Sequence, residues 1–227
     1  MLNPPTFSFP LETATVPVGD RIWQIRSLRS RDIFFATNTT AQRDLYGFVL
    51  WESAIGLSER LIAQPTLVRG KHVLELGAGV GLPGIVAQHL GGDVAQTDYQ
   101  VDSLTLCAWN GLQNGIKTAI FQGDWQQWHH ARRYDLIIAA DILYDEALHF
   151  YIERILHRNL TASGQLLLAD PGRPQALDFM LHLEAHGWHI EIDTAHVVPQ
   201  RSGDPNPLTP SHDGFVEVTL YLAQKHR

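Results

Sequence analysis

The chain has 227 residues, of which 44% are hydrophobic and 18% charged, and its formal net charge is −7. This length and composition are typical of one large globular domain with a full core and exclude a disordered chain. The acidic balance argues against nonspecific nucleic-acid binding through a basic surface, and the single cysteine, Cys107, excludes a disulfide framework and a cysteine-based zinc site.

The first 45 residues predict an accessory segment. Apolar and β-branched runs at 13–18 and 21–28 flank a Gly19-Asp20 turn, which predicts a small β-hairpin outside the main sheet. The polar stretch 30–44 is expected to be a loop or a short lid, and 46–63 has helical spacing in its second half. We therefore separate an N-terminal extension at 1–45 from a larger domain at 46–227.

From residue 73 onward, strand and helix patterns alternate. Strands are expected at 73–76, 94–97, 118–122, 134–139, 165–169, 189–193 and 215–222, and helices at 82–90, 102–114, 148–160 and 175–186. Repeated strand–helix units predict a parallel sheet covered on both faces. Because no helix separates the last two strands, we expect the last one to run antiparallel. The expected fold class is α/β, a Rossmann-like doubly wound sheet of seven strands.

The most informative stretch is 73–84, which reads VLELGAGVGLPG. This pattern predicts a buried strand, a turn with glycine at every second position, and then an amphipathic helix. Glycine permits positive φ and lets a ligand approach the backbone closely, and the helix start presents unpaired N–H groups. Asp98 closes the next strand, at about the 20-residue spacing expected of an acid that binds a ribose. The two features together predict a nucleoside-binding domain.

The chain resembles the class I S-adenosylmethionine (SAM) methyltransferases through its seven predicted strands and its ExGxGxG pattern at 75–81. Trp51 ahead of a helix, LELGAG at 74–79 and LPG at 82–84 are similar to the family-16 protein methyltransferases within that class. DILYDE at 141–146 and DPGRPQ at 170–175 most resemble the electron transfer flavoprotein β-subunit lysine methyltransferases. The segment TDYQ at 97–100 departs from the Asn-Asp-x-Asp-Pro type of run in that branch and is closer to other branches.

The resemblance implies a set of cofactor-binding residues. The methionine end of SAM would be held by Glu75 and by the backbone of Gly77, Ala78 and Gly79. The ribose hydroxyls would bind Asp98, the adenine amino group would contact Asp124, and the adenine ring would be covered by Trp125. The N-terminal side of the cofactor would pack against Trp51, and the methyl donor would lie beside the end of the fourth strand, at Ala140 and Asp141.

The resemblance also implies a catalytic group of Asp141, Tyr144 and Glu146. Methyl transfer from a sulfonium is an in-line displacement with an activated leaving group, so the protein has to align a deprotonated acceptor and exclude water. Asp141 and Glu146 would orient an acceptor amine, and Tyr144 would form an aromatic wall with a hydroxyl. The expected activity is SAM-dependent methylation of a protein side chain, lysine above all.

Other functions fit parts of the same pattern. A methyltransferase for a small molecule or for another protein residue would share the fold. An NAD-dependent oxidoreductase would share the glycine turn and Asp98, although its usual Ser-Tyr-Lys or histidine proton donors are not evident. A non-catalytic SAM-binding module is a third alternative. Single residues also have structural alternatives: Asp98 and Asp141 can cap helices, and Trp51 and Trp125 can fill the core.

The remaining expectations concern metals, partners and location. His182 and His186 are spaced like metal ligands on one helix face, but no acidic partner is evident nearby, so no metal is expected. No apolar stretch approaches the roughly 20 residues that span a bilayer, and the N-terminus lacks a signal-peptide pattern. We expect a cytoplasmic monomer with a protein substrate, with neither nucleic acid nor membrane as a partner. Two polar stretches, 30–44 and 199–213, are candidates for substrate selection.

Overall fold

The computed structural model describes residues 4–28, 45–199 and 214–226. Their strands are β1 (Leu11–Val18), β2 (Arg21–Leu28), β3 (His72–Leu76), β4 (Asp93–Asp98), β5 (Ala119–Gln122), β6 (Tyr134–Ala140), β7 (Leu160–Asp170), β8 (Trp188–Val197) and β9 (Val216–Lys225). Their helices are α1 (Glu52–Ala63), α2 (Leu82–His89), α3 (Val101–Gln113), α4 (His149–Asn159) and α5 (Pro174–Ala185). Of the two stretches expected to select the substrate, 30–44 and residues 200–213 of 199–213 lie outside the described residues. None of the described helices is long and apolar enough to cross a membrane.

The main sheet of the described residues has seven strands in the order β5-β4-β3-β6-β7-β9-β8. Strands β3 to β7 are parallel to one another, and β9 runs antiparallel to both β7 and β8. The chain moves outward from β3 to β5 and then returns to place β6 on the other side of β3. This reversal creates a crevice at the carboxyl ends of β3 and β6, where doubly wound sheets bind ligands. The predicted fold class is confirmed.

The sheet is covered on both faces because its central strands are apolar at successive positions. Val73 and Leu136 belong to the core under α1, α2 and α3, whereas the next residues, Leu74 and Ile137, belong to the core under α4 and α5. Alternate side chains of a strand point to opposite faces, so a strand buried on both sides reads as a continuous apolar run. This is the reason that the central strands could be recognised in the sequence.

The predicted hairpin of β1 and β2 is confirmed as a separate two-stranded antiparallel sheet. It is attached to the domain through two asparagines, Asn110 on α3 and Asn114 directly after the end of α3. The Asn110 side chain accepts a hydrogen bond from the Arg26 N–H at 2.8 Å and donates to the Arg26 carbonyl at 3.0 Å. Asn114 makes the same pair of bonds with the Gln24 backbone, at 3.0 and 2.9 Å. The two amides satisfy backbone groups of β2 that would otherwise form a free strand edge.

Several elements differ in extent from the prediction: β8 and β9 continue to Val197 and Lys225, and two other differences have a local cause. Helix α1 begins at Glu52 because Trp51 is extended (φ −86°, ψ 148°), and residues 45–48 form a short 3₁₀ turn instead of a first helical turn. Strand β7 begins at Leu160, directly after α4, because Leu160 already pairs with Tyr134 of β6 across a register shift. Neither difference changes the order of the sheet.

Candidate active site

The strand ends align at one edge of the sheet. Leu76 of β3 pairs in register with Thr97 of β4 and with Ala139 of β6. The next residues along these strands are Gly77, Asp98 and Ala140, which therefore emerge together. The register brings the glycine turn, the acid at the end of β4 and the segment after β6 into one crevice, as the sequence predicted.

The turn after β3 depends on glycine at two positions. Gly77 has φ 64° and Gly79 has φ 51°, in the left-handed region that side chains rarely adopt. A Cβ on Gly77 would lie 2.8 Å from Cγ2 of Ile142, and one on Gly79 would lie 3.1 Å from the carbonyl oxygen of Gly47. The Ala78 N–H donates to the Thr97 carbonyl at 3.0 Å, which fixes the turn against β4. The result is a narrow backbone cradle that any side chain would obstruct.

Asp98 lies beside this cradle at the end of β4, and 5% of the residue is exposed. Its Oδ2 accepts a hydrogen bond from the Gly79 N–H at 3.0 Å, and its Oδ1 accepts one from the Gln100 N–H at 3.0 Å. Burial raises the pKa of Asp98, and these backbone donors oppose that rise by stabilising the carboxylate. The carboxylate is thus held rigidly against the turn.

The structure places the Glu75 carboxylate behind the turn. The residue is 1% exposed, and its Oε2 accepts hydrogen bonds from the Gly84 N–H at 3.1 Å and from Gln96 Nε2 at 2.6 Å. Burial raises the pKa of Glu75 to about 8. In this geometry Glu75 braces the first turn of α2, and contact with a ligand on the far side of the glycines stays a prediction.

Three aromatic rings line the crevice from the N-terminal side. The ring centroids of Trp51 and Tyr46 are 6.0 Å apart, and those of Tyr46 and Tyr144 are also 6.0 Å apart, both in edge-on arrangements. Trp51 Nε1 donates to the Tyr46 carbonyl at 3.2 Å. Tyr144 is 43% exposed, which is high for so large a side chain. Two of these residues were predicted from the sequence, and Tyr46 joins them.

Asp141, which follows β6, belongs to a buried ionic cluster centred on Arg173. The φ of Asp141 is 62°, and it is the only non-glycine residue with positive φ in the described part of the chain. Arg173 Nη1 forms an ion pair with Asp141 Oδ1 and another with Asp170 Oδ2, the latter at 3.0 Å. The Arg173 N–H also donates to Asp170 Oδ1 at 2.7 Å. Backbone strain of this kind persists only where the surroundings impose it, and such strain concentrates at functional sites.

Burial dominates the electrostatics of this cluster. It raises the pKa of Asp141, an effect that the Arg173 guanidinium counteracts and that Asp170 and Glu52 reinforce. Burial also disfavours the charged guanidinium, but Asp141 and Asp170 outweigh it and raise the pKa of Arg173. The arginine therefore stays cationic and holds Asp141 in place between two strand ends.

The loop after β5 brings a tryptophan, but not its neighbouring acid, to the cradle. A Cβ on Gly77 would lie 3.5 Å from Cζ2 of Trp125, so the half-buried indole lies against the glycine turn. The exposed Asp124 instead caps its own turn, with its Oδ1 accepting from the Gln126 N–H at 2.9 Å. Its predicted contact with an adenine amino group stays a prediction.

The two remaining predicted residues, Ala140 and Glu146, lie at the end of β6 and shortly after it. Ala140 is the last residue of β6 and pairs in register with Ala169 of β7. Glu146 is exposed and begins a short 3₁₀ helix, Glu146–Leu148. The predicted contact of Glu146 with an acceptor amine also stays a prediction.

The predicted site residues did not include Asp170, Arg173 or Tyr46, which the fold brings to this site. Arg173, which follows the Pro171-Gly172 turn of the DPGRPQ segment, was weighed in the sequence as a functional residue or as the partner of an acid, and it pairs with both Asp141 and Asp170. Tyr46 bridges Trp51 and Tyr144, and its position five residues before Trp51 carried no signal of its own. The position of Asp170 and Arg173 beside Asp141 follows from the pairing of β6 with β7. The position of Tyr46 follows from the path of the chain before α1, and neither can be read from the local sequence.

Comparison with known proteins gives consistent matches. A family model described as lysine methyltransferase matches residues 34–186. The protein N-terminal and lysine N-methyltransferase EFM7 of Cryptococcus neoformans is 30% identical over 65% of this chain and 56% of its own length. The electron transfer flavoprotein beta subunit lysine methyltransferase of Rattus norvegicus is 35% identical over 58% of this chain and 52% of its own. The chain spans little more than half the length of these relatives.

Solved structures support the fold. A 16S rRNA methyltransferase of T. thermophilus, solved with AdoMet and guanosine, has a TM-score of 0.65 and 16% identity, covering 98% of this chain and 52% of its own. The ribosomal protein L11 methylase of Lactobacillus delbrueckii has a TM-score of 0.54 and 24% identity, covering 77% of each chain. At these identities the likeness concerns the architecture alone.

Proposed function

The chain belongs to the lysine methyltransferase family, and from that premise we propose that it transfers a methyl group from SAM to a lysine side chain of a protein. One observation carries the proposal. The same edge of the sheet holds the glycine cradle with Asp98 and, across the crevice, the Asp141 carboxylate that Arg173 fixes in a strained backbone position. The first group suits a nucleoside, and the second offers a carboxylate that can accept a hydrogen bond from an amine.

The residues of the crevice fit SAM. Gly77 and Gly79 form the tight turn at positive φ, and because glycine has no Cβ, no side chain of the turn keeps a ligand from its backbone. Asp98 would accept hydrogen bonds from the ribose hydroxyls, and the Trp125 ring would cover the adenine from the side of the turn. Trp51 would close the N-terminal side. Bound SAM supplies an activated methyl group on a sulfonium.

The acceptor side of the crevice has to bind a lysine side chain and favour its deprotonated amine. The reference pKa of a lysine amine is about 10.4, and the amine is a nucleophile only after losing a proton. Withdrawal from water beside Tyr46 and Tyr144 lowers that pKa. Asp141 would accept a hydrogen bond from the amine and aim its lone pair into the crevice, and Arg173 keeps the Asp141 carboxylate from turning away. The chain would thus act mainly by alignment and exclusion of water.

A labelling experiment tests the proposal. The wild type is incubated with methyl-labelled SAM and a cell extract, and the protein fraction is hydrolysed to amino acids. We expect label in methyl-lysine, and we expect Asp141→Asn to lose the transfer while keeping the thermal stabilisation that SAM gives. Label confined to small molecules, or to another amino acid, would contradict the lysine assignment.

The expectations about the wider protein belong to the same proposal. A net charge of −7 disfavours a nucleic-acid partner, and a single cysteine is compatible with a reducing compartment such as the cytoplasm. We propose a cytoplasmic monomer in which the segment 1–45 is an extension of the domain at 46–227. Gel filtration, cell fractionation and expression of the shorter chain check these three points.

A further inference from the structure

A second open cavity lies on one flank of the domain. It has a volume of about 540 Å³ and lies between α4 and the loop that joins β5 to β6. Tyr151, Arg154 and Arg158 are lined up along α4 at helical spacing and form one wall, and Trp125 and Trp128 contribute to the other. None of the functions assigned above uses its two arginines. We call this cavity the flank groove.

The walls of the flank groove are firmly tied together. Trp128 Nε1 donates to Asn159 Oδ1 at 2.8 Å. Asn159 in turn donates from Nδ2 to the carbonyls of His130 and Arg132, at 3.1 and 2.7 Å. The buried amide at the end of α4 therefore fixes the facing loop, and the groove is a preformed feature of the fold.

The charge of the flank groove is opposite to that of the chain. Among the described residues that line it, two are arginines, two are histidines and none is acidic, although the whole chain carries −7. Arg154 lies over the ring of Phe150 at 5.6 Å, and Arg158 donates a long hydrogen bond of 3.5 Å to the His129 carbonyl. Within the described residues, neither guanidinium has a carboxylate within ion-pair distance.

The two acids next to lining residues in the sequence, Glu153 and Asp124, have other partners. Glu153 on α4 faces His157 and His182, with N–O distances of 3.4 and 3.1 Å. Asp124 accepts hydrogen bonds within its own turn. Two exposed arginines one turn apart thus present their donors to an open groove, a geometry suited to carboxylates or other anions.

We propose that the flank groove binds an acidic segment, rich in aspartate or glutamate, of the protein whose lysine is methylated. This inference rests on the proposed function, because it assumes a protein acceptor. Arg154 and Arg158 would pair with carboxylates of the segment, while Trp125, Trp128 and Tyr151 would cover its apolar parts. Since Trp125 also lies against the glycine turn, the occupied groove would lead directly to the cofactor crevice.

Two observations favour an acidic protein segment over a nucleic acid. The groove is a local basic patch on an acidic chain, whereas nucleic-acid binding usually depends on an extended basic surface. The family match is to lysine methyltransferases. A short anionic peptide needs only a local patch with charge complementarity, which determines specificity and the rate of encounter.

The test measures binding of a fluorescein-labelled decaglutamate peptide by anisotropy, with a labelled decauridylate RNA in parallel. Arg154→Glu and Arg158→Glu are compared with Arg69→Glu, a matched charge reversal at an exposed arginine before β3, outside the groove. We expect the wild type to bind the peptide, each groove variant to bind at least about tenfold more weakly, equivalent to about 1.4 kcal/mol, and Arg69→Glu to bind like the wild type.

Several results would overturn the proposal. These are no binding by the wild type, an equal loss in Arg69→Glu, or decauridylate binding more tightly than decaglutamate through the same arginines. Thermal stabilisation by SAM is measured on every variant and should be unchanged, which also shows that each variant is folded. If the wild type itself shows no response to SAM, the proposed function fails, and the peptide result still decides whether the groove binds anions.

Discussion

Replacing Arg173 by methionine tests the structural basis of the candidate site. Asp141 and Asp170 lie on either side of this arginine, and their side chains are 7% and 0% exposed. Methionine keeps much of the side-chain volume but removes the cation, so two buried carboxylates lose their common partner. Removing one member of a buried ion pair usually costs about 3–5 kcal/mol, because the remaining charge is left without compensation.

The unfolding free energy lost in Arg173→Met should depend on pH in a defined direction. Burial already raises the pKa of Asp141, and the guanidinium is the main group that opposes this rise. Without Arg173 the folded-state pKa rises further above the unfolded value of about 3.9. A group with a raised folded-state pKa contributes stability that is lost as the pH rises through that pKa. The deficit of Arg173→Met relative to wild type should therefore be larger at pH 8 than at pH 5.

Urea unfolding of the wild type, Arg173→Met and Arg173→Lys at these two pH values gives the comparison. Lysine keeps a charge but not the planar fork, so we expect an intermediate loss. We also expect Arg173→Met to lose methyl transfer while SAM still stabilises the folded variant. A deficit below about 1 kcal/mol at both pH values, smaller than the cost expected for a buried pair, would refute the view that Arg173 holds Asp141.

Three further predictions concern the glycine turn and the acids around it. Unfolding free energy of the wild type should fall from pH 4.5 to pH 8 partly because the pKa of Glu75 is raised to about 8, and urea unfolding should show a weaker pH dependence for Glu75→Gln. Gly79→Ala should cost about 1–2 kcal/mol from backbone strain and more from its contact with Gly47, and should abolish the thermal shift by SAM. Gly115→Ala is its control, with φ 72° and nothing within 4 Å of a Cβ, and should keep that shift. Asp98→Asn should stay folded but lose most of the response to SAM in the same thermal-shift assay.

The fold could be predicted from the sequence because the central strands are buried on both faces. Val73 and Leu74 serve opposite layers of the core, so β3 reads as an unbroken apolar run before the glycines. The turn chemistry of Gly77 and Gly79 and the position of Asp98 are local signals as well. These features can be recognised in the sequence without knowing which strands are neighbours.

The remaining features depend on contacts between distant segments. Arg173 meets Asp141 only because β6 and β7 are adjacent and in register, and Asn110 satisfies the edge of β2 only once α3 packs against the hairpin. Glu75 shows the converse case. Glu75 lies between Leu74 and Leu76, so its side chain points to the same face of β3 as Val73, under α2. This alternation indicates a structural role under α2 more directly than the position of Glu75 in the glycine motif indicates a ligand contact.

Binding of the cofactor tests the central claim most directly. Thermal unfolding is measured in parallel titrations with SAM, S-adenosylhomocysteine and NAD. A ligand that binds only the folded state stabilises it by about 2.7 kcal/mol at a hundredfold excess over its Kd. We expect a rise in Tm with the two S-adenosyl ligands and none with NAD. A rise with NAD alone would contradict the methyltransferase account and the roles proposed for Asp98, Trp125 and Asp141.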